Sequence, residues 1–144
     1  MKEITFSKDQ IIFCQGDYAS VMYDIISGRI GIYTDYQTEK ENKITELAAG
    51  EVFGEMGLIE SWPRSATAVA LEDGTVLAEL GESDLKEYLK DKPEKLLVVM
   101  RQLSRRIRET TQNYVNVCQT VHDSERTQKA LNEYAALYTT YWMN

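Results

Sequence analysis

The sequence predicts an α+β fold, in which an antiparallel β-roll of the jelly-roll (double-stranded β-helix) type precedes a long helix and a short C-terminal helix. Short runs of β-branched and aromatic residues, separated by turn residues, extend from Lys2 to about Leu80. After Ser83 the apolar residues recur with helical spacing instead. No segment of helix length lies between the short runs, which favours an antiparallel barrel or roll over a βαβ fold.

Length and composition are typical of one globular domain. The chain has 144 residues, 43% of them hydrophobic, which is enough to bury one ordinary core. Its net charge of −7 gives no support to direct nucleic-acid binding. No apolar run reaches membrane-spanning length and no leader follows Met1, so we expect a cytoplasmic location without membrane contact. Two distant cysteines and a single histidine, His122, predict no metal site.

The β-region divides into strands and turns. Strands are expected at residues 4–6, 11–13, 21–26, 30–33, 44–47, 69–71 and 75–78. Turns are expected at 15–17, 27–28, 49–51 and 72–74, the last containing the hairpin signal Asp-Gly. The polar stretch 35–42 is expected to form an exposed hairpin tip. Strands of this length, separated by turns at fairly regular spacing, favour an antiparallel barrel or roll.

One stretch of the β-region, residues 53–70, carries the residue types of an anion site. It reads Phe-Gly-Glu-Met-Gly-Leu-Ile-Glu-Ser-Trp-Pro-Arg-Ser-Ala-Thr-Ala-Val-Ala. Gly54 allows the backbone to approach a ligand closely, and the next residues are compatible with one helical turn that offers N–H groups. Arg64 can fork onto two phosphate oxygens, with the Ser65 hydroxyl beside it. Glu55 would repel a phosphate, so it is expected to accept a hydrogen bond from another part of the ligand.

The helical region begins with a short helix predicted after Ser83, and a sustained heptad pattern follows it. Residues 91–94 combine a capping residue, an early proline and an acidic first turn. The pattern that follows alternates spacings of four and three at Leu96, Met100, Leu103, Ile107, Thr110, Tyr114, Val117 and Val121. A helix this long can cover its own small roll with only part of its length. We therefore expect a parallel homodimer that pairs through residues 96–121.

The stretch 53–70 closely resembles the phosphate-binding cassette of cyclic nucleotide-binding domains. Residues 53–58 match the family's Phe-Gly-Glu-(Leu/Met)-(Ala/Gly)-Leu, and residues 63–67 match its Pro-Arg-(Ala/Ser)-Ala-Thr. The resemblance implies that Glu55 holds the ribose 2′-hydroxyl. It also implies that Arg64 and Ser65 hold the cyclic phosphate, helped by backbone N–H groups near Gly54. Ser65 favours cAMP as the ligand over cGMP, because cGMP-selective members commonly carry threonine there.

The resemblance extends to other parts of the chain. Residues 15–17 and 25–30 look like entry turns of the cyclic nucleotide β-roll, which implies that Ile32, Ile44 and Leu47 line the wall for base and ribose. Residues 93–115 resemble the dimerisation helix of the bacterial cAMP receptor protein family. That match implies that Thr110 and Thr111 hold the adenine, one from the same subunit and one from its partner.

The C-terminal segment departs from that family. Its transcription factors continue into a winged helix-turn-helix, whereas here residues 124–144 read as one further helix with an aromatic-rich face. Direct DNA binding by this chain is therefore not expected. Two interpretations stay open, since the tail could pack on the dimer or could be a docking surface for another protein. The predicted organisation is a roll at 1–90, a dimerisation helix at 91–122 and a tail at 123–144.

These features favour a non-enzymatic cAMP-sensing regulatory module that couples ligand binding to a rearrangement of helices. One alternative is a ligand-independent dimerisation or scaffold domain, but an unpaired buried Arg64 would then be costly. Another is the sensor fragment of a cAMP receptor-type transcription regulator. An enzyme is not expected, because the sequence has neither a nucleophile–base pair nor a metal cluster.

Overall fold

The computed structural model describes the backbone of residues 1–142 and the side chains of residues 1–133, 135 and 136. Eight strands and three helices lie within this part of the chain. The strands are β1 (Lys2–Phe6), β2 (Ile11–Phe13), β3 (Val21–Ser27), β4 (Arg29–Thr34), β5 (Asn42–Ala48), β6 (Val52–Phe53), β7 (Thr67–Ala70) and β8 (Thr75–Gly81). The helices are α1 (Glu55–Glu60), α2 (Glu82–Asp91) and α3 (Glu94–Trp142).

The strands form two four-stranded sheets in which every pair is antiparallel. Their orders are β1-β8-β3-β6 and β2-β7-β4-β5. Apolar residues from both sheets meet in one core, made of Phe6, Tyr23, Ile25, Ile30, Leu47, Phe53, Ala68, Ala70 and Leu77. The prediction of an antiparallel roll is confirmed. Several neighbouring strands in each sheet, such as β1 and β8, are far apart in the sequence. Hairpin signals along the chain therefore predict only part of the strand pairing.

A second, smaller apolar cluster joins α2 to the first sheet. Met22 of β3, Val52 of β6 and Leu80 of β8 are buried with Tyr88 of α2. Leu85 and Leu89 of the same helix pack against this group, as the helical spacing after Ser83 predicts. The cluster fixes α2 on the sheet that carries β6, which is the strand leading directly into the 53–70 stretch.

The long helix α3 runs for 49 residues without interruption. The residues predicted as a short C-terminal helix are helical as far as 142, the last described, but they continue α3 rather than form a separate element. The physical reason is that residues 94–142 contain neither glycine nor proline, so a capping-type Asp-Ser pair at 123–124 does not end the hydrogen-bonded ladder. The aromatic face predicted for the tail falls largely on side chains outside the described set.

The chain divides into two compact units, of which the first is Met1–Met100 and the second begins at Arg101. The roll, α1, α2 and the first turns of α3 belong to the first unit. Large apolar side chains of α3 are exposed in both units, at Leu96, Leu97, Met100, Ile107, Tyr114, Val115, Val117, Val121 and Leu131. Among the described residues, none of the helices is both long enough and apolar enough to cross a bilayer.

Candidate functional site

The 53–70 stretch leaves the sheet at β6 and folds back through α1 to β7. Phe53 is paired with Tyr23 of β3 and is almost fully buried. Gly54 then adopts a left-handed backbone with φ +77°, immediately before α1 begins at Glu55. A Cβ atom at Gly54 would lie 2.6 Å from Nη1 of Arg64. Glycine is therefore required here both for its backbone conformation and for close approach.

The return of the loop is tightly packed around Gly57. A Cβ atom at this position would lie 2.3 Å from Cβ of Ala19 and 3.3 Å from the carbonyl oxygen of Trp62. The helix ends at Glu60, and the following Ser61 also has a left-handed backbone with φ 54°. The helical turn expected after Gly54 is present as α1, which continues past Gly57 to Glu60. Close packing at Gly57 holds the Arg64 end of the loop near the Gly54 end.

Arg64 is the central side chain of this loop and is only 7% exposed. Its Nη1 donates to the carbonyl oxygen of Gly54 at 2.8 Å, and its Nη2 donates to that of Val21 at 2.6 Å. The sequence-based argument that an empty site would leave this arginine unpaired is therefore wrong. Two main-chain carbonyls satisfy the guanidinium without neutralising its charge, so an anion would still be attracted to it.

The backbone of Arg64 is held by the turn at residues 15–17. Its N–H donates to the carbonyl oxygen of Asp17 at 2.8 Å, and its own carbonyl accepts from the N–H of Gly16 at 2.9 Å. Burial lowers the pKa of the guanidinium below its usual value, while electrostatic interactions with Tyr23, Asp17 and Glu55 act in the opposite direction. The turn that the sequence predicts at residues 15–17 thus lies directly beside the 53–70 loop.

The structure brings Gly54, Glu55, Arg64 and Ser65 together, as the sequence predicts. Glu55 is 2% exposed at the start of α1, and it is near enough to Arg64 to affect the pKa of the Arg64 guanidinium. Ser65 is exposed next to Arg64. A buried carboxylate and a buried cation in one short loop provide a hydrogen-bond acceptor and a forked donor for a single ligand.

The residues predicted to line a base and ribose wall are not equivalent. Leu47 is 3% exposed and belongs to the core of the roll, whereas Ile44 on the same strand is 54% exposed. Ile32 is partly buried and packs against the core. Ile44 therefore keeps an accessible face for a ligand, and a role for all three residues stays a prediction.

Thr110 and Thr111 lie in the second unit, on a stretch of α3 where both are exposed. Thr110 occupies the heptad seam, between Ile107 and Tyr114, which are also exposed. Their contact with an adenine stays a prediction.

Sequence reasoning missed a buried polar network centred on Asp24 of β3. Tyr88 donates its hydroxyl to Oδ2 of Asp24, and Nζ of Lys95 donates to Oδ1 at 2.7 Å and to the carbonyl oxygen of Gly50 at 3.0 Å. Burial, followed by the Asp24 carboxylate, raises the pKa of Tyr88 above its usual value. A charged residue inside the apolar run 21–26 was the available signal, because buried carboxylates require partners.

Comparison with known proteins identifies the family. The family model described as cyclic nucleotide-binding domain matches residues 3–92, which include nearly all of the roll and the 53–70 loop. The chain belongs to the cyclic nucleotide-binding domain family. In this cyclic nucleotide-binding domain, the loop between Phe53 and Ala70 is the segment that resembles the family's phosphate-binding cassette.

Several proteins resemble this cyclic nucleotide-binding domain. A CRP-like cAMP-activated global transcriptional regulator of Mycobacterium tuberculosis is 25% identical over 117 residues, covering 81% of this chain and 52% of the relative. The Thermus thermophilus catabolite activator protein superposes with a TM-score of 0.63 at 31% identity, over 76% of this chain and 51% of that one. The cAMP-bound EAL enzyme Bd1971 gives a TM-score of 0.56 at 40% identity, over 76% of this chain and 29% of that one. The chain thus spans about half, or less, of the length of each.

Proposed function

We propose that this cyclic nucleotide-binding domain is a non-enzymatic cAMP sensor, in which Arg64 and Ser65 bind the cyclic phosphate and Glu55 binds the ribose. The observation that carries the proposal is the burial of Arg64 and Glu55 in one loop, at 7% and 2% exposure. A guanidinium with little access to water forms strong charge-assisted hydrogen bonds to a phosphate. A carboxylate accepts a hydrogen bond from a sugar hydroxyl but repels a phosphate, which assigns the two ends of the nucleotide.

The choice of cAMP over cGMP rests on Ser65. Bd1971 has solved structures in both a cAMP-bound and a cGMP-bound form, so the fold accommodates either base. Serine offers one hydroxyl that is free to rotate toward the phosphate. Threonine at this place would have a restricted χ1, and could hold its hydroxyl toward the guanine amino group. Cyclic AMP is therefore the proposed ligand, and no metal is required for its binding.

Calorimetric titration of the whole chain with cAMP and cGMP tests this proposal. Arg64→Ala should weaken cAMP binding by about a hundredfold or more, since a charged hydrogen-bond partner contributes about 1.5–3 kcal/mol and the guanidinium can make two such bonds. Arg29→Ala is the matched control, because Arg29 is a surface arginine whose side chain is 53% exposed and paired with Glu46 and Glu72. It removes the same charge and should leave binding nearly unchanged.

The outcome that refutes the proposal is specific. A folded wild-type protein that shows no heat with millimolar cAMP does not have this function. An equal loss of affinity in Arg64→Ala and Arg29→Ala would mean that only net charge matters and that the loop is not the phosphate site.

We further propose that the sensor is a parallel homodimer through residues 96–121, with Thr110 and Thr111 contributing to the base site of the two subunits. The support is the exposure of the seam, where Ile107, Tyr114 and Val117 are 67%, 70% and 61% exposed. Such a row of apolar side chains on one helix is typical of a surface that pairs with another helix. If a partner's hydroxyl completes the site, ligand binding and dimerisation strengthen each other by the same factor.

Sedimentation velocity with and without cAMP tests the dimer. Ile107→Glu places a charge in the seam and should produce monomers with a lower cAMP affinity. Gln119→Glu places the same charge at a heptad position facing away from the seam, and should leave both properties unchanged. A wild-type monomer at high concentration refutes the dimer, and dimerisation that is indifferent to cAMP refutes the coupling alone.

A further inference from the structure

The guanidinium of Arg64 lies against the ring of Phe13, a residue of β2 that is distant from the cassette in sequence. The Cζ atom is 4.1 Å from the centroid of the ring, which is the distance of a planar cation in direct contact with an aromatic face. The two terminal nitrogens donate to the carbonyl oxygens of Gly54 and Val21. The guanidinium thus lies over the face of the Phe13 ring, while its two terminal nitrogens are held by main-chain carbonyls.

Phe13 belongs to a cluster of three aromatic rings. Phe13 lies 6.1 Å from Tyr23 and 5.8 Å from Phe53 between ring centroids, and Tyr23 lies 5.2 Å from Phe53. Tyr23 and Phe53 are buried and directly paired across β3 and β6. Phe13 is therefore backed by rigid core residues. It contacts both Phe53 and Arg64, which are near the two ends of the cassette.

Space on the Gly54 side is equally restricted. A Cβ atom at Gly54 would lie 2.6 Å from Nη1 of Arg64 and 3.6 Å from Cε1 of Phe13. Ring, glycine backbone and carbonyls together leave the guanidinium little freedom to turn. Removing the ring would open one side of this enclosure, and the long arginine side chain could then occupy other rotamers.

We propose that Phe13 is a positioning residue, which holds the plane of Arg64 in the orientation that receives the cyclic phosphate. The inference rests on the proposed phosphate contact of Arg64. An arginine held in place before the ligand arrives loses less conformational freedom on binding, which increases affinity. An aromatic face suits this purpose because guanidinium is weakly hydrated and stacks on rings, whereas an aliphatic side chain offers only bulk. The lowered pKa of the buried Arg64 agrees with a cation that has lost much of its water.

Two substitutions separate the aromatic face from simple packing. Phe13→Leu keeps an apolar side chain but removes the ring face, and it should weaken cAMP binding by about threefold to thirtyfold, the range of a cation–π contact. Phe13→Tyr keeps the face and should restore binding to within about twofold of wild type. Phe6→Leu is the matched control, because Phe6 lies in the same core on β1, whose strand partner is β8. It should lower stability without changing the affinity of the folded protein.

A double-mutant cycle distinguishes an effect through Arg64 from an effect through the fold. In the Arg64→Gln background the cation is gone, so Phe13→Leu should cause little further loss of cAMP affinity. An equal loss in both backgrounds overturns the inference. Incorporating mono-, di- and trifluorinated phenylalanine at position 13 preserves shape while reducing the negative charge of the face, and affinity should fall stepwise. An unchanged affinity across this series also overturns it.

The result also separates this inference from the function on which it rests. A wild-type protein that does not bind cAMP, or an Arg64→Ala variant that binds it normally, refutes the proposed function. Normal binding by Phe13→Leu, together with loss of binding in Arg64→Ala, refutes only the positioning role of Phe13.

Discussion

The most informative perturbation of the fold is Lys95→Met, which removes one member of the buried network on Asp24. Lys95 lies in the first turn of α3, and its ammonium is 2.7 Å from Oδ1 of Asp24. The side chain of Asp24 is 2% exposed and that of Lys95 is 14% exposed. Methionine has a similar length and fills the same space without the charge. The substitution therefore leaves a buried carboxylate with the Tyr88 hydroxyl but without its cation.

The expected cost in the free energy of unfolding is about 3 kcal/mol. Breaking a buried ion pair by removing one partner typically costs about 3–5 kcal/mol, because the other charge stays buried. The lower end applies because Lys95 is partly exposed, so that water can reach the vacated position. The carbonyl oxygen of Gly50, which accepts from the same ammonium at 3.0 Å, lies in an exposed contact and adds little.

Urea denaturation followed by circular dichroism measures this effect, with two further variants as controls. Lys43→Met removes a cation from an exposed pair with Glu46, in which both side chains are about 40% exposed, and should cost less than about 1 kcal/mol. Adding Asp24→Asn to Lys95→Met removes the stranded charge and should recover at least about 1 kcal/mol. A cost for Lys95→Met equal to that for Lys43→Met, or no recovery in the double variant, would refute the reasoning.

Three further predictions concern pH, packing and selectivity. Burial and Asp24 raise the pKa of Tyr88 in the folded state, so the contribution of this residue to stability is complete below about pH 10 and is lost as the pH rises further. Tyr88→Phe should therefore reduce the loss of unfolding free energy at alkaline pH, as measured by urea denaturation. Gly57→Ala would bring Cβ within 2.3 Å of a neighbouring carbon and should lower the free energy of unfolding by about 1–3 kcal/mol. Thermal melting should show a smaller effect for Gly81→Ala, where the atom nearest to the new Cβ is 3.6 Å away. Ser65→Thr should raise cGMP affinity relative to cAMP in calorimetry, and an unchanged ratio would place selectivity elsewhere.

Local patterns in the sequence determined the class of fold and located the candidate site. Turn glycines and β-branched runs indicate where most strands lie, because turn geometry and strand preference act over a few residues. Most observed strands are longer than predicted, and the short β6 was not predicted. The motif from Phe53 to Thr67 is informative for the same reason, since Gly54, Glu55, Arg64 and Ser65 are brought together by one short loop. The continuous α3 shows the limit of this approach, because a capping-type residue at 124 indicates a helix start only when something ends the preceding helix.

Only the tertiary structure decided which groups hold the site in place. Arg64 donates to the carbonyl of Val21, which is 43 residues away, and Asp24 receives Lys95 from 71 residues away. Phe13 reads in the sequence as an ordinary apolar strand residue, and its contact with Arg64 follows from the order β2-β7-β4-β5. Strand order and register are set by how two sheets bury one common core, and this is a property of the whole domain. No local pattern contains that information, so the residues of the motif were predictable while their supports were not.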